Sequence, residues 1–157
     1  MKTIFLPLMI ALAVLPVAVL AAGGDGDAAA KPPADPVIAA AQEANSRNDF
    51  TKSAAILREA LVKSPDNADY HNLYAYAIRK GPNPNMDEAF QHYNEALRLD
   101  PKHRGANEYL GEAYLTVGNL PKAREQLAKL DQLCFFGCDE YTKLKNSIAD
   151  YEATHKQ

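Results

Sequence analysis

Cys134 and Cys138 are the residues whose type and spacing most readily support chemistry, since they are the two cysteines of this 157-residue sequence and lie four positions apart in the segment CFFGC. In an exported chain two cysteines without a third competitor favour one disulfide. Gly137 lies between them and tolerates a positive φ, which would break a helix and let the Cβ atoms approach to about 4 Å, as a disulfide requires. We therefore predict a structural Cys134–Cys138 disulfide.

Two other uses of this thiol pair remain open as alternatives. Paired thiolates can bind a soft metal such as Cu(I), and an activated thiol can take part in exchange reactions. The segment from Leu133 to Asp139 contains no lysine or arginine that would lower a thiol pKa, and His155 is the one histidine that follows it. The alternative function is therefore copper handling or redox chemistry, with the rest of the chain serving as a docking module.

The remaining sequence shows no signature of catalysis. The four histidines lack a ligand spacing, so we expect isolated, exposed side chains rather than a metal site. No nucleophile elbow, phosphate-binding loop or nucleotide fingerprint is present. We predict neither catalytic residues nor a cofactor. The formal net charge of -3 does not suggest a nucleic acid partner.

The first residues are typical of a targeting segment. Residues 4–22 carry no charge, follow Lys2 and end in two alanines, which predicts a signal peptide over residues 1–22 and a periplasmic or secreted protein of the bacterial type. An uncleaved membrane anchor is the alternative, because about 19 apolar residues can cross a bilayer. Pro7 and Pro16 disfavour a stable membrane helix. After cleavage no membrane span is expected, and residues 23–35 are predicted to form a disordered linker rich in Gly and Pro.

A helical pattern recurs through the rest of the chain. The distance from Ala89 to Ala123 is 123 - 89 = 34 residues, and that from Pro65 to Pro101 is 101 - 65 = 36 residues. Such a period, with two helices per unit, is typical of a helical repeat array. We predict helix pairs at about 36–65, 67–101 and 103–133, the cysteine loop at 134–138, and a capping helix at 139–154. That last helix has one apolar stripe and Asp139 as its N-cap; the stripe consists of Tyr141, Leu144, Ile148 and Tyr151.

The third unit resembles the tetratricopeptide repeat (TPR) family. It carries LGEAY at 110–114, GNL at 118–120, then Ala123 and Leu127, which are similar to the family's L-G-x-A-Y, G-x-Y and A-x-x-x-F positions. The second and first units keep fewer of these residues. The resemblance covers about Asp35 to Leu133 and implies an all-α helical-repeat solenoid of three TPR-like helix pairs plus a C-terminal capping helix.

The resemblance also implies a binding surface. In this family the first helix of each pair lines a concave groove, and the matching positions here are Gln42, Asn45, His71, Ala75, Arg79, Glu108, Glu112 and Leu115. The groove lacks the Lys and Asn set with which some members clamp a peptide carboxylate. Of Tyr74 and Tyr76, one is expected to face a partner or the adjacent repeat.

These expectations together predict a non-enzymatic, exported scaffold. It would bind a protein or peptide and help to assemble or maintain an envelope complex. A repeat edge can equally pair copies of one chain, so a homo-oligomer is an alternative partner.

Overall fold

The computed structural model describes residues 35–155, which form seven α-helices and contain no strand. The predicted signal peptide and nearly all of the predicted linker, residues 1–34, lie outside the described residues. The helices are α1 (Pro36–Ser46), α2 (Phe50–Lys63), α3 (Ala68–Lys80), α4 (Met86–Leu99), α5 (Arg104–Thr116), α6 (Leu120–Leu133) and α7 (Asp139–Thr154).

Side chains that accept a hydrogen bond from the first turn fix where the helices begin. Five of the seven N-caps are Asp or Asn, at positions 35, 49, 67, 85 and 119. The prediction of Asp139 as the cap of α7 was wrong. Cys138 precedes the helix in an extended conformation and its Sγ lies 3.5 Å from the backbone N–H of Tyr141, so Asp139 is the first helical residue.

The pattern of helix contacts gives the array a concave side. Each helix packs against the next one in the chain, and α1, α3, α5 and α7 also contact one another in succession. Within residues 35–155 the helices α2, α4 and α6 make no such contacts with one another. Helices that meet on one side and separate on the other produce a curved stack, as in other solenoids. The predicted all-α helical-repeat solenoid is confirmed, and its concave face is formed by the odd-numbered helices.

The capping helix docks through its apolar stripe. Leu144 is fully buried, and Ile148 is 6% exposed, in a cluster with Leu130 and Ala123 of the third pair. Gly111 of α5 lies directly under Leu144: a Cβ atom there would be 2.5 Å from Leu144 Cδ2. Glycine at this position therefore allows α7 to approach α5.

The loop between α6 and α7 carries the two cysteines. Their Sγ atoms lie 2.05 Å apart, which is a disulfide bond, and it joins the end of α6 to the start of α7. Gly137 has the expected positive φ, 84°. Phe135 and Phe136 between the cysteines are 87% and 97% exposed. With both sulfur atoms in the bond, neither is a thiolate in this state.

Candidate partner-binding groove

Two adjoining cavities follow the concave face and together form what we call the inner groove. One has a volume of about 230 Å³ and lies among α1, α3, α5 and α7. The other, of about 210 Å³, lies among α1, α3 and α5. Gln42, Leu73 and Tyr109 line both. The predicted groove residues Gln42, Asn45 and Glu108 are therefore brought together on this face.

A pair of tyrosines forms the floor between neighbouring repeats. The rings of Tyr76 in α3 and Tyr109 in α5 have centroids 4.6 Å apart, and both side chains are partly exposed. Tyr74 instead is 3% exposed, and its hydroxyl bonds to Arg58 and Glu88. Tyr76 is thus the residue that faces the adjacent repeat. Partly exposed tyrosines of this kind are effective anchors for a bound chain.

The acidic groove residue Glu108 has an unusual environment. It is 3% exposed and forms neither a hydrogen bond nor an ion pair with any of the described residues. Burial raises its pKa to about 7, opposed by the charge of Lys143 and reinforced by Glu112 and Glu140. The Oδ1 of Asn72, beside the same cavity, is also buried without a partner. The inner groove therefore contains hydrogen-bond acceptors that have no donor among residues 35–155.

Arg79 and Glu112, both predicted to bind a partner, bind each other. Arg79 Nη2 lies 2.7 Å from Glu112 Oε2, and Arg79 Nε donates to the Tyr93 hydroxyl at 3.2 Å. The arginine is 8% exposed and its guanidinium also lies over the ring of Tyr76, 5.5 Å from the centroid. This cluster links α3, α4 and α5. Its structural role is to join the second repeat to the third.

His71 lies between α3 and α4 rather than in the inner groove. Its Nδ1 is 2.7 Å from Nδ1 of His92, and its Nε2 is 2.7 Å from the carbonyl oxygen of Pro65. The expectation of isolated, exposed histidines was therefore wrong for this residue, which is 9% exposed. The two histidines are 21 positions apart, and the packing of α3 on α4 brings them together.

The register of α3 explains this difference from the prediction. Ala75 is fully buried and shares with His71 and Arg79 the face that packs inside the array. The groove face of α3 is instead carried by Asp69, Asn72, Leu73 and Tyr76. Leu115 of α5 is likewise buried, in the cluster beneath α7. Lys143 and Glu140 of the capping helix, which the sequence did not single out, complete the groove.

The histidine pair makes stability sensitive to acid. The Pro65 carbonyl requires a proton on His71 Nε2, so Nδ1 of the neutral His71 ring accepts a hydrogen bond from His92 Nδ1–H. Burial, and then the charge of His71, lower the pKa of His92. The unfolded chain therefore binds more protons below about pH 6.5, and the free energy of unfolding is expected to fall there, while it is unaffected by this pair above that pH.

Urea unfolding midpoints at pH 8, 7, 6 and 5 measure this effect. The substitution His92→Gln keeps an N–H donor for His71 and is expected to make the curve flatter below pH 6.5. His155→Gln, at an exposed histidine, is the matched control and is expected to leave the curve as in the wild type. Identical slopes for wild type and His92→Gln would contradict the assignment.

A larger recess of about 410 Å³ lies beside α2, α3 and the loop before α4. It is lined by Phe50, Ala54 and Ile78, and its charged side chains Arg58 and Glu88 are both bonded to the Tyr74 hydroxyl. Its two charged side chains are thus already engaged within the chain. The inner groove is the better candidate for binding because it contains hydrogen-bond acceptors that have no donor among the described residues.

Metal binding and membrane insertion were the other functions that the helices could support. Among residues 35–155 no group of three or more His, Cys, Asp or Glu side chains is placed to hold a metal ion. Over the same range no helix has the length and apolar character needed to cross a bilayer.

Two sequence models described as tetratricopeptide repeat match the chain, one over residues 38–104 and the other over residues 85–133. Together they span most of the described helices. The chain belongs to the tetratricopeptide repeat family.

Particular relatives share the repeats but not the remainder of their length. The inactive TPR repeat-containing thioredoxin TTL3 of Arabidopsis thaliana is 29% identical over 100 residues, which are 63% of this chain and 13% of that protein. The TPR repeat-containing thioredoxin TTL4 of the same plant is 28% identical over 81 residues, or 52% of this chain and 12% of that protein. This chain therefore spans about an eighth of the curated relatives it matches.

Solved structures show the same fold. The TPR domain of Sgt2 from Aspergillus fumigatus superimposes with a TM-score of 0.64 and 22% identity, covering 79% of this chain and 80% of that one. The type III secretion translocator chaperone SycD of Yersinia enterocolitica gives 0.63 and 13% identity, covering 77% and 84%. SycD in complex with a peptide of the translocator YopD gives 0.60 and 14% identity, covering 75% and 88%.

Proposed function

We propose that this protein is a non-catalytic adaptor that binds a protein or peptide in its inner groove. The observation that carries the proposal is the groove itself, where polar acceptors without partners lie beside the Tyr76–Tyr109 pair. An extended segment supplies N–H donors for the former and apolar contacts for the latter. The complex of SycD with a YopD peptide, on the same fold, supports a peptide as occupant.

The cellular setting is a second part of the proposal. Residues 1–22 direct export, and the mature adaptor helps to assemble or maintain a complex of the cell envelope. The apolar N-terminal segment and the cysteine pair support an oxidising, exported location. The mass of the protein isolated from its native compartment tests this part: cleavage after Ala22 leaves Gly23 as the first residue, and an intact N-terminus on protein recovered from the cytoplasm would reject export.

Affinity capture with a matched pair of variants tests the groove. Gln42 is exposed and lines both cavities, so Gln42→Arg fills the centre of the inner groove without removing a buried contact. Gln91→Arg makes the same change at an exposed site of α4, which lies outside the concave face. We expect Gln42→Arg to reduce recovery of bound partner about tenfold, the effect of losing roughly 1.4 kcal/mol of binding free energy, and Gln91→Arg to leave it unchanged.

Two other outcomes of the capture experiment would contradict binding in the inner groove. Equal recovery by wild type and both variants would remove the inner groove from the binding surface. Equal loss with both variants would indicate a general charge effect rather than occlusion. Unfolding midpoints of the three proteins show whether folding is preserved.

A further inference from the structure

The larger cavity of the inner groove, which we call the Glu108 pocket, has a lining rich in acceptors. It has a volume of about 230 Å³ and is open to solvent on the concave face. Two of its carboxylates already have partners: Asp69 Oδ1 lies 3.0 Å from Nε2 of His103, and Glu140 Oε1 lies 3.8 Å from Nε of Arg104. Glu108 has none among the described residues.

The charged groups around Glu108 pair with one another and leave Glu108 without a partner among the described residues. Asp69, Glu112 and Glu140 are paired with His103, Arg79 and Arg104, and Lys143 is the remaining cation that faces the region. Arg79 is engaged by Glu112 at 2.7 Å, and Lys143 lies outside ion-pair distance of Glu108. Glu108 is therefore the carboxylate of this region that has no ion-pair partner among the described residues, although it is only 3% exposed.

A second unsatisfied group lines the same pocket. Asn72 is 4% exposed, lines the cavity and has an Oδ1 that accepts no hydrogen bond within the described part of the chain. A Cβ atom at the neighbouring Gly105 would lie 3.2 Å from Asn72 Nδ2, so glycine allows the backbone of α5 to lie close to this amide. A buried acceptor without a donor costs free energy, and an unpaired buried carboxylate costs more. Both costs are removed by one ligand that carries several N–H groups and a positive charge.

We propose, on the basis of the groove-binding function above, that the Glu108 pocket receives an arginine or lysine side chain of the bound peptide. The cationic head forms an ion pair with the Glu108 carboxylate and donates to Asn72 Oδ1. The aliphatic stem lies along Leu73 and Tyr109, which border the pocket. The arginine guanidinium fits best, because its planar array of five donors can reach a carboxylate and an amide oxygen at once. The inner groove is thereby specific for a segment with a basic residue.

Titration of the full-length protein with short capped peptides tests this assignment. The probes are acetyl-Gly-Arg-Gly-amide, its lysine counterpart, its citrulline counterpart, which has nearly the same shape without the charge, and its glutamate counterpart. Binding is followed by nuclear magnetic resonance through the side-chain carboxyl signal of Glu108 and the side-chain amide signal of Asn72. We expect the arginine probe to bind about tenfold more tightly than the citrulline probe, as a charge-assisted hydrogen bond does relative to a neutral one.

Two variants connect that preference to the pocket. Glu108→Gln is expected to reduce the ratio of arginine to citrulline affinity to below about threefold, since the shape is kept and the charge is removed. Glu125→Gln, at an exposed position of α6, is the matched control and is expected to keep the ratio. Urea midpoints establish that both variants fold. Removal of an unpaired buried charge is expected to leave the midpoint of Glu108→Gln equal to or above that of the wild type.

The result that would overturn the assignment is equal binding of the arginine and citrulline probes, a preference for the glutamate probe, or an unchanged ratio in Glu108→Gln. These outcomes are separate from a failure of the groove as a binding surface. If Gln42→Arg abolishes partner capture while the probes show no charge preference, the groove binds a partner of another chemistry. If capture survives Gln42→Arg, the proposed function fails whatever the probes show.

Discussion

Gly111→Ala is expected to lower the free energy of unfolding by about 2 kcal/mol, because overpacking of a buried site costs up to about 3 kcal/mol and the gain in helix propensity returns about 1 kcal/mol. The new methyl group would lie 2.5 Å and 2.7 Å from the two Cδ atoms of Leu144. Leu144 is fully buried among α5, α6 and α7, so it can move aside only by displacing neighbouring core side chains. The loss is expected to appear first as detachment of α7, measured by hydrogen exchange of its amides alongside urea unfolding.

A second substitution at the same contact makes this prediction specific. Leu144→Ala alone is expected to cost about 2 to 5 kcal/mol by leaving a cavity. Adding Gly111→Ala to that variant places a methyl group in the cavity and is expected to restore part of the loss. Additive losses in the double variant would contradict the steric account. Gly105→Ala in the same helix is the control, expected to change stability by less than about 1 kcal/mol, because its nearest atom, Asn72 Nδ2, would lie at 3.2 Å rather than at the 2.5 Å found for Gly111.

Arg79→Met is expected to lower the free energy of unfolding by about 3 kcal/mol, since removal of one partner from a buried ion pair leaves the other uncompensated. Glu112, which is 26% exposed, would lose its cation, and the Tyr93 hydroxyl its donor. Burial already raises the pKa of the Tyr93 phenol, so the hydroxyl remains a neutral group that needs a partner. Urea denaturation of the purified variant measures the loss.

An exposed ion pair provides the comparison. Arg98 and Glu95 approach to the same 2.7 Å on the surface of α4, and Arg98→Met is expected to cost no more than about 0.5 kcal/mol. In the double variant Arg79→Met, Glu112→Met the total loss is expected to be smaller than the sum of the single losses, since no buried charge is left alone. Equal effects of Arg79→Met and Arg98→Met would show that burial of the Arg79 cluster contributes nothing.

Most of the fold could be predicted because it depends on local patterns. The stripe of Leu144 and Ile148 has helical spacing and is buried as expected, and Gly118, with φ of 75°, joins α5 to α6 within the predicted third helix pair. The family resemblance of the third unit was confirmed by the match over residues 85–133. These features depend on the order of residues within one or two turns of a helix, and that order is visible in the sequence.

The site was harder to predict because its contacts join different helices. The Arg79–Glu112 and Asp69–His103 pairs are 33 and 34 residues apart, and Tyr76 and Tyr109 are 109 - 76 = 33 apart. These separations are close to the repeat length of 34 to 36 residues, so comparing residues about one period apart on the inner helices would have suggested them. The His71–His92 contact, 21 residues apart, depends on how α3 and α4 cross and has no such signal.

The succession of contacts among the helices also determines how the protein can open. No helix contacts another that is more than two elements away within the described chain, so breaking one interface leaves the others intact. In a linear repeat array each helix pair is stabilised by its neighbours alone. The first helix pair has a neighbour on one side only and carries no disulfide, so it opens at a lower free energy than the third pair. Gln42 and Asn45 belong to that first pair. The wall of the inner groove that they form is therefore expected to open more easily than the rest of the groove. A bound peptide that stabilised this wall would raise the protection of α1 against hydrogen exchange, and affinity would then be linked to the order of the first repeat.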